Sequence, residues 1–150
     1  MRIGFDIGGV IVDQKTREVF TESYMSIRLC VEKFKPKNVY IVSKARNQWI
    51  TSNKKLLTET DFYNITGLLE ENVYFVDEYE DKATMCEKLQ LDYLVDDSVK
   101  VIKFLLKTNT TGVWFGFNNT SCLDKKDLKK IHVVTTWKNL RKLFTRLVTT

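Results

Sequence analysis

The chain has 150 residues, of which 43% are hydrophobic and 29% charged, and a formal net charge of +5. This composition is typical of one globular domain with a sizeable core and excludes a low-complexity chain. No apolar run approaches the roughly 20 residues of a membrane-spanning helix, and the N-terminus lacks a secretory signal pattern. With three scattered cysteines outside any CxxC pair, we expect reduced thiols and a cytoplasmic or other reducing location.

Apolar runs bounded by turn signals alternate with stretches of helical periodicity. Strands are predicted over residues 2–6, 38–42, 73–76, 93–95, 112–115 and 132–135. A helix is predicted over residues 18–35, and Pro36 sets its end. Further helices are predicted over residues 81–89, 98–106 and 137–147, and a broken helical region over residues 44–57 and 59–69. Alternating strands and helices predict an α/β fold, a doubly wound and mostly parallel sheet with helices on both faces.

Polar side chains follow three of the predicted strands at the point where each strand ends. Asp6 follows the first strand, Ser43 the second, and Asp96 and Asp97 the fourth. Because the carboxyl ends of parallel strands form the binding edge of an open sheet, these side chains are expected to share one site. Paired acids before a helix also cap free N–H groups, so Asp96 and Asp97 have a purely structural alternative.

The segments IGFDIGGVIVD, VYIVSKA and DYLVDDSVKVIKFL together resemble the haloacid dehalogenase-like hydrolase superfamily. The family's motifs are an Asp after the first strand, a Ser or Thr after the second, a Lys, and an acidic cluster after the fourth. The resemblance covers roughly the whole chain and implies one haloacid dehalogenase-like, Rossmann-like domain over residues 1–150. The connections after the first and second strands are too short for a separate cap domain.

By position, the resemblance implies that Asp6 is the nucleophile of a phosphatase that forms an aspartyl phosphate. It also implies a Mg²⁺ ion, because a carboxylate and a phosphate repel each other. The implied metal ligands are Asp6, the backbone carbonyl of Gly8, Asp96 and Asp97. Ser43 would bind the phosphoryl oxygens. Lys82 would stabilise the nucleophile and the transferring charge, with Lys44 as the rival phosphate-binding cation.

One position departs from the pattern. Many family phosphatases carry a second Asp two residues after the nucleophile as general acid, and this chain has Gly8 there. General acid–base catalysis contributes about 10²–10⁴ in rate, so turnover of alkyl phosphates is expected to be slow and that of aryl or acyl phosphates less affected. Asp13 is a candidate substitute. A catalytically weak or inactive binding module that keeps Mg²⁺ and phosphate is the alternative function.

Two further alternatives remain open from the sequence. The motif DIGG also opens the phosphate-binding hairpin of actin-like sugar kinases. Alternatively, Asp6, Asp96 and Asp97 could belong to an α/β domain that has no functional site there. An uncapped, positively charged phosphatase suits a phosphorylated small molecule, a nucleotide or a phosphorylated nucleic-acid end as substrate, with no membrane partner. A polar loop with Asn118, Asn119 and Thr120 is expected beside the site.

Overall fold

The computed structural model describes residues 1–116 and 122–149, and this part of the chain contains a six-stranded sheet. Its strands are β1 (Ile3–Phe5), β2 (Val39–Lys44), β3 (Val73–Val76), β4 (Tyr93–Asp96), β5 (Thr111–Phe115) and β6 (His132–Val134). They lie in the order β3-β2-β1-β4-β5-β6, and every neighbouring pair is parallel. All six predicted strands are present with small differences at their ends, and the predicted doubly wound α/β fold is confirmed.

Helices connect the strands and cover both faces of the sheet. They are α1 (Ser23–Phe34), α2 (Gln48–Glu59), α3 (Phe62–Thr66), α4 (Tyr79–Leu89), α5 (Val99–Leu105), α6 (Lys125–Leu128) and α7 (Trp137–Thr149). Short 3₁₀ helices at Pro36–Asn38 and Glu70–Asn72 precede β2 and β3. Among residues 1–116 and 122–149, no helix is long and apolar enough to cross a membrane.

The core consists of two apolar layers, one on each face of the sheet. On one face, Phe5 packs with residues of α1, α2, α3 and α7, including Leu57 and Phe144. On the other, Leu94 and Trp114 pack with α4 and α5. Burial on both faces explains why the strands are almost continuously apolar. It also leaves the carboxyl ends of the strands as the place where polar side chains gather.

The segment after β1 differs from its prediction. Helix α1 begins at Ser23 rather than at residue 18, because Val19 forms an antiparallel bridge with Val12. The amide of Phe20 donates to the carbonyl of Ile11 at 2.8 Å, which closes a hairpin-like loop. The apolar side chains of Val19 and Phe20 pack against the core from this loop, and the helical periodicity assigned to them was wrong.

The strand order bears on the sugar-kinase alternative. Strand β1 lies between β2 and β4, and both neighbours are parallel to it. The bridges that follow β1 form outside the sheet, so β1 does not open an antiparallel hairpin within the sheet. This arrangement does not favour the sugar-kinase hypothesis.

Candidate active site

Three carboxylates meet at the carboxyl end of the two central strands. The register places Phe5 beside Val95, and the amide of Asp6 donates to the carbonyl of Val95 at 2.9 Å. Asp6 and the adjacent Asp96 and Asp97 therefore lie together, each offering a ligand atom within 4.8 Å of the others. We call Asp6, Asp96 and Asp97 the carboxylate cluster.

Lys82 is buried within the carboxylate cluster and is only 2% exposed. Its Nζ lies 2.9 Å from Asp6 Oδ1 and 2.7 Å from Asp96 Oδ2. Burial opposes the charge of Lys82, but the charges of Asp6 and Asp96 outweigh it and raise its pKa, so the side chain stays cationic. A capping box formed by Glu78 and Asp81 fixes the start of α4 and thereby positions Lys82.

The cluster carries more negative charge than Lys82 neutralises. Burial, and then the charge of Asp6, raise the pKa of Asp97 to about 6. The same two causes raise the pKa of Asp96, although Lys82 and the amide of Ser98 act in the opposite direction. Removing these carboxylates from water is unfavourable unless a further cation joins them. The site is therefore suited to a cation.

The donor set fits Mg²⁺. Carboxylate and carbonyl oxygens are hard ligands, which Mg²⁺ prefers. The amide nitrogen of Gln14 lies 3.1 Å from Asp97 Oδ2 and 3.5 Å from the carbonyl oxygen of Gly8, so these two oxygens face the same polar group. The structure thus brings together all four groups predicted to bind the metal.

Of the two adjacent acids, one also has the structural role considered as an alternative. Asp96 Oδ1 accepts the amide of Ser98 at 2.9 Å, in the turn that leads into α5. Asp97 instead faces the cavity, and its backbone carbonyl accepts the indole N–H of Trp114 at 3.1 Å. The side chain of Asp97 is therefore free of a capping role in the described contacts.

The second glycine of the GG pair is required by Asp97. Gly9 has a φ of +81°, in the left-handed region that side chains avoid. A Cβ at this position would also overlap Asp97 Oδ2. Glycine at position 9 therefore lets the loop pass directly beneath the carboxylate.

The first glycine leaves a space that Gln14 fills. A Cβ on Gly8 would lie 3.2 Å from Cγ of Gln14, so the side chain of Gln14 stands where the general acid of many family phosphatases would begin. Asp13 does not substitute for it in this structure. Its carboxylate accepts the amides of Thr16 and Lys15, which lower its pKa, whereas a general acid at neutral pH needs a raised one.

The remaining predicted residues line a cavity of about 500 Å³ around the cluster. Ser43 is buried at the end of β2, and Lys44 is exposed at the rim, 4.8 Å from the ring centroid of Tyr79. Asn118, Asn119 and Thr120 lie outside the described residues. Eight further lining residues were not predicted as site residues from the sequence, namely Gln14, Arg17, Ala45, Arg46, Trp49, Asn53, Tyr79 and Ser98. Arg46 and Trp49 follow the end of β2 closely, and this position in the sequence could have marked them as candidate site residues.

Comparison with known proteins identifies the fold. A D,D-heptose 1,7-bisphosphate phosphatase from B. bronchiseptica, complexed with magnesium and phosphate, is similar with a TM-score of 0.66 and 9% identity over 97% of this chain and 99% of that chain. A Burkholderia xenovorans protein assigned to the haloacid dehalogenase-like hydrolases has a TM-score of 0.57 and 12% identity over 87% of this chain and 60% of that chain. The chain has a haloacid dehalogenase-like fold.

The described segments that follow β1 and β2 contain no cap domain. Residues 7–38 and 45–72, which the structure describes throughout, contain short helices and loops only. A de novo designed Rossmann 3x3 protein shares the general arrangement, with a TM-score of 0.52 and 18% identity over 97% of this chain and 93% of that chain. No family model and no curated protein sequence matches the chain.

The raised pKa values predict how the stability of the metal-free protein depends on pH. Between about pH 4 and 6 the carboxyl group of Asp97 binds more protons in the folded chain than in the unfolded chain, because its pKa rises from 3.8 to about 6 on folding. The free energy of unfolding should therefore fall as the pH rises through this window. Urea unfolding at pH 5 and pH 7.5 in EDTA checks this, and Mg²⁺ should reduce the loss at pH 7.5.

The variant Asp97→Asn isolates the contribution of that group. It should flatten the slope in EDTA and weaken the stabilisation by Mg²⁺. Equal stability of the metal-free wild type at both pH values, or greater stability at pH 7.5, would contradict this account of the cluster.

Proposed function

We propose that residues 1–150 form one haloacid dehalogenase-like domain that acts as a Mg²⁺-dependent phosphatase. The carboxylate cluster with Lys82 buried in it, at the carboxyl edge of this fold, is the observation on which the proposal rests. A phosphatase of similar fold has been crystallised with magnesium and phosphate, which supports the same class of ligands here.

Mg²⁺ would be held by the carboxylate cluster and the backbone carbonyl of Gly8. When bound, it would reduce the repulsion between the cluster and the phosphate of the substrate. Lys82 contributes a second positive charge beside Asp6 and holds that carboxylate by a hydrogen-bonded ion pair. These contacts favour Lys82 over the exposed Lys44 as the cation that acts on the nucleophile.

In the proposed reaction, a carboxylate oxygen of Asp6 attacks phosphorus while the bond from phosphorus to the ester oxygen breaks. The leaving group departs with the electron pair and takes a proton from water. A second water then attacks phosphorus while the bond from phosphorus to the Asp6 oxygen breaks, and the proton that this water loses neutralises the hydroxide left by the first. Inorganic phosphate is released and the carboxylate of Asp6 is regenerated. Ser43, buried at the end of β2, would donate its hydroxyl to a phosphoryl oxygen, and Lys44 would meet the phosphate from the rim.

Gly8 and Gln14 determine which esters should react well. The amide of Gln14 can donate a hydrogen bond but cannot transfer a proton to the leaving group. Leaving groups that are stable as anions, such as aryl or acyl groups, need this proton least. The substrate is therefore proposed to be a phosphorylated small molecule, or a nucleotide or nucleic-acid end, that is turned over slowly when its leaving group is an alkoxide.

The same observation favours one alternative function. Because Gln14 fills the space of the general acid, the site could bind Mg²⁺ and a phosphate without turnover, as a regulatory module. Binding of metal and phosphate with no hydrolysis of any phosphate ester would identify that function.

The direct test is hydrolysis of p-nitrophenyl phosphate. We expect activity with Mg²⁺, loss of that activity in EDTA, and its recovery when Mg²⁺ is restored. Isothermal titration with Mg²⁺ alone should show binding that weakens in Asp97→Asn. Activity that persists undiminished in EDTA would contradict a metal-dependent phosphatase at this site.

A further inference from the structure

Trp49 is an exposed tryptophan on the wall of the cavity that holds the carboxylate cluster. It lies in the first turn of α2, shortly after the end of β2, and is 56% exposed. The other two tryptophans of the chain, Trp114 and Trp137, are 1% and 4% exposed and donate their indole N–H groups to backbone carbonyls. Trp49 therefore offers the site a free aromatic face, which is a common element of ligand pockets.

Cationic side chains line the same cavity as Trp49, outside the carboxylate cluster. Arg17, Lys44 and Arg46 line the cavity, where the acidic side chains all belong to the carboxylate cluster. Arg46 is ion-paired with Asp77 and Glu78, which do not line the cavity, so the net positive charge of this wall comes from Arg17 and Lys44. The ammonium groups of Lys44 and Lys100 lie 4.8 and 5.6 Å from the centroid of the same Tyr79 ring. A wall of this charge attracts a molecule that is anionic near its aromatic part.

The cavity has room and polar groups for more than a phosphate. A volume of about 500 Å³ is far more than a phosphate group alone would fill. Arg17, with a left-handed φ of 64°, donates a hydrogen bond from Nη2 to Oδ1 of the buried Asn53. This pair places hydrogen-bonding groups on the same wall as Trp49, where the edge of a planar heterocycle could meet them.

We propose that Trp49 is a specificity-determining residue that stacks on the nucleobase of a phosphorylated nucleoside. Aromatic side chains bind bases through their flat faces, largely without regard to sequence. The shared chemistry is a base one sugar away from a phosphomonoester, as in a mononucleotide or the phosphorylated end of a nucleic-acid strand. The proposal rests on the proposed function only for placing the phosphate at the carboxylate cluster.

The test compares the binding of adenosine 5′-monophosphate and ribose 5-phosphate to Asp6→Asn protein in Mg²⁺, so that neither is consumed. We expect the nucleotide to bind roughly 5- to 150-fold more tightly, the range given by stacking on one aromatic side chain. It should also quench tryptophan fluorescence, because Trp49 is the tryptophan open to solvent. Adding Trp49→Ala should remove the preference, whereas Trp49→Phe should keep part of it and lose the quenching.

Binding of a 5′-phosphorylated tetranucleotide distinguishes a mononucleotide ligand from the phosphorylated end of a nucleic-acid strand. Tighter binding than the mononucleotide, with an affinity that falls steeply as salt rises, identifies a nucleic-acid end. Equal or weaker binding identifies the mononucleotide. Equal affinity for adenosine 5′-monophosphate and ribose 5-phosphate, or no binding of either, overturns the proposal.

The outcome is separable from that of the proposed function. Wild-type protein that hydrolyses p-nitrophenyl phosphate but shows no preference for the nucleotide retains the phosphatase proposal and loses this one. Protein that binds the nucleotide through Trp49 but hydrolyses no phosphomonoester retains the proposal for Trp49 and loses the phosphatase proposal.

Discussion

Replacing Asp6 with asparagine is expected to lower the kcat for p-nitrophenyl phosphate by at least about 10⁴-fold, as loss of the nucleophile does in other covalent enzymes. The amide of asparagine is a poor nucleophile, yet its carbonyl oxygen can still accept the hydrogen bond from Lys82. Because Lys82 also keeps its 2.7 Å contact with Asp96, the fold should persist. Steady-state kinetics with Mg²⁺ measure the loss, and thermal unfolding checks the fold.

Asp13→Asn is the matched control for that substitution. Asp13 lies in the same loop, and its side chain accepts the amides of Lys15 and Thr16, which the amide oxygen of asparagine can also do. The control should retain wild-type kcat. If Asp6→Asn retained it as well, the measured activity would come from elsewhere, and the assignment of Asp6 as nucleophile would be wrong.

The double variant Gly8→Asp, Gln14→Ala is expected to gain activity on alkyl phosphates. Gly8, unlike Gly9, does not have a positive φ, so its backbone can accept a side chain. Removing most of the Gln14 side chain frees the space that lies 3.2 Å from a Cβ at position 8. The new carboxyl group could then protonate the leaving group, which predicts a rise in kcat/KM of about 10²–10⁴ for alkyl phosphates.

The gain should depend on the leaving group. For p-nitrophenyl phosphate it should be small, because that leaving group departs as a stable anion. A series of phosphate esters of graded leaving-group acidity measures this dependence, which should become shallower in the variant. The isosteric control Gly8→Asn, Gln14→Ala has no proton to give, so an equal gain in that control would disprove general acid catalysis as the cause.

Much of the fold was predictable because its signals are local. Apolar runs marked all six strands, and Pro36 marked the end of α1, where Lys35 leaves helical geometry with a φ of 78°. The loop between Gly8 and Ser23 was not predictable in this way. Its conformation depends on the bridge between Val12 and Val19, which forms against the folded core.

The residues of the candidate site likewise fall into those that local signals predicted and those that depend on the folded chain. Asp6, Asp96 and Ser43 were found because each stands at a strand end, where the topology of the sheet determines the neighbours. The ion pairs of Lys82 with Asp6 and Asp96 needed the fold, since the sequence alone left Lys82 and Lys44 as rivals. Gln14 lies in the loop between Gly8 and Ser23, whose conformation was not predictable, and its place beside Gly8 could therefore not be foreseen.

The two neighbouring glycines place opposite limits on how this sequence can diverge. At position 8, glycine is required only by the neighbouring side chain of Gln14, because a smaller residue at position 14 would make room for a side chain there. Position 9 is tied to Asp97, which follows the neighbouring strand β4. Descendants of this chain could therefore acquire or discard an acid at position 8, whereas a side chain at position 9 would require Asp97 to be lost as well.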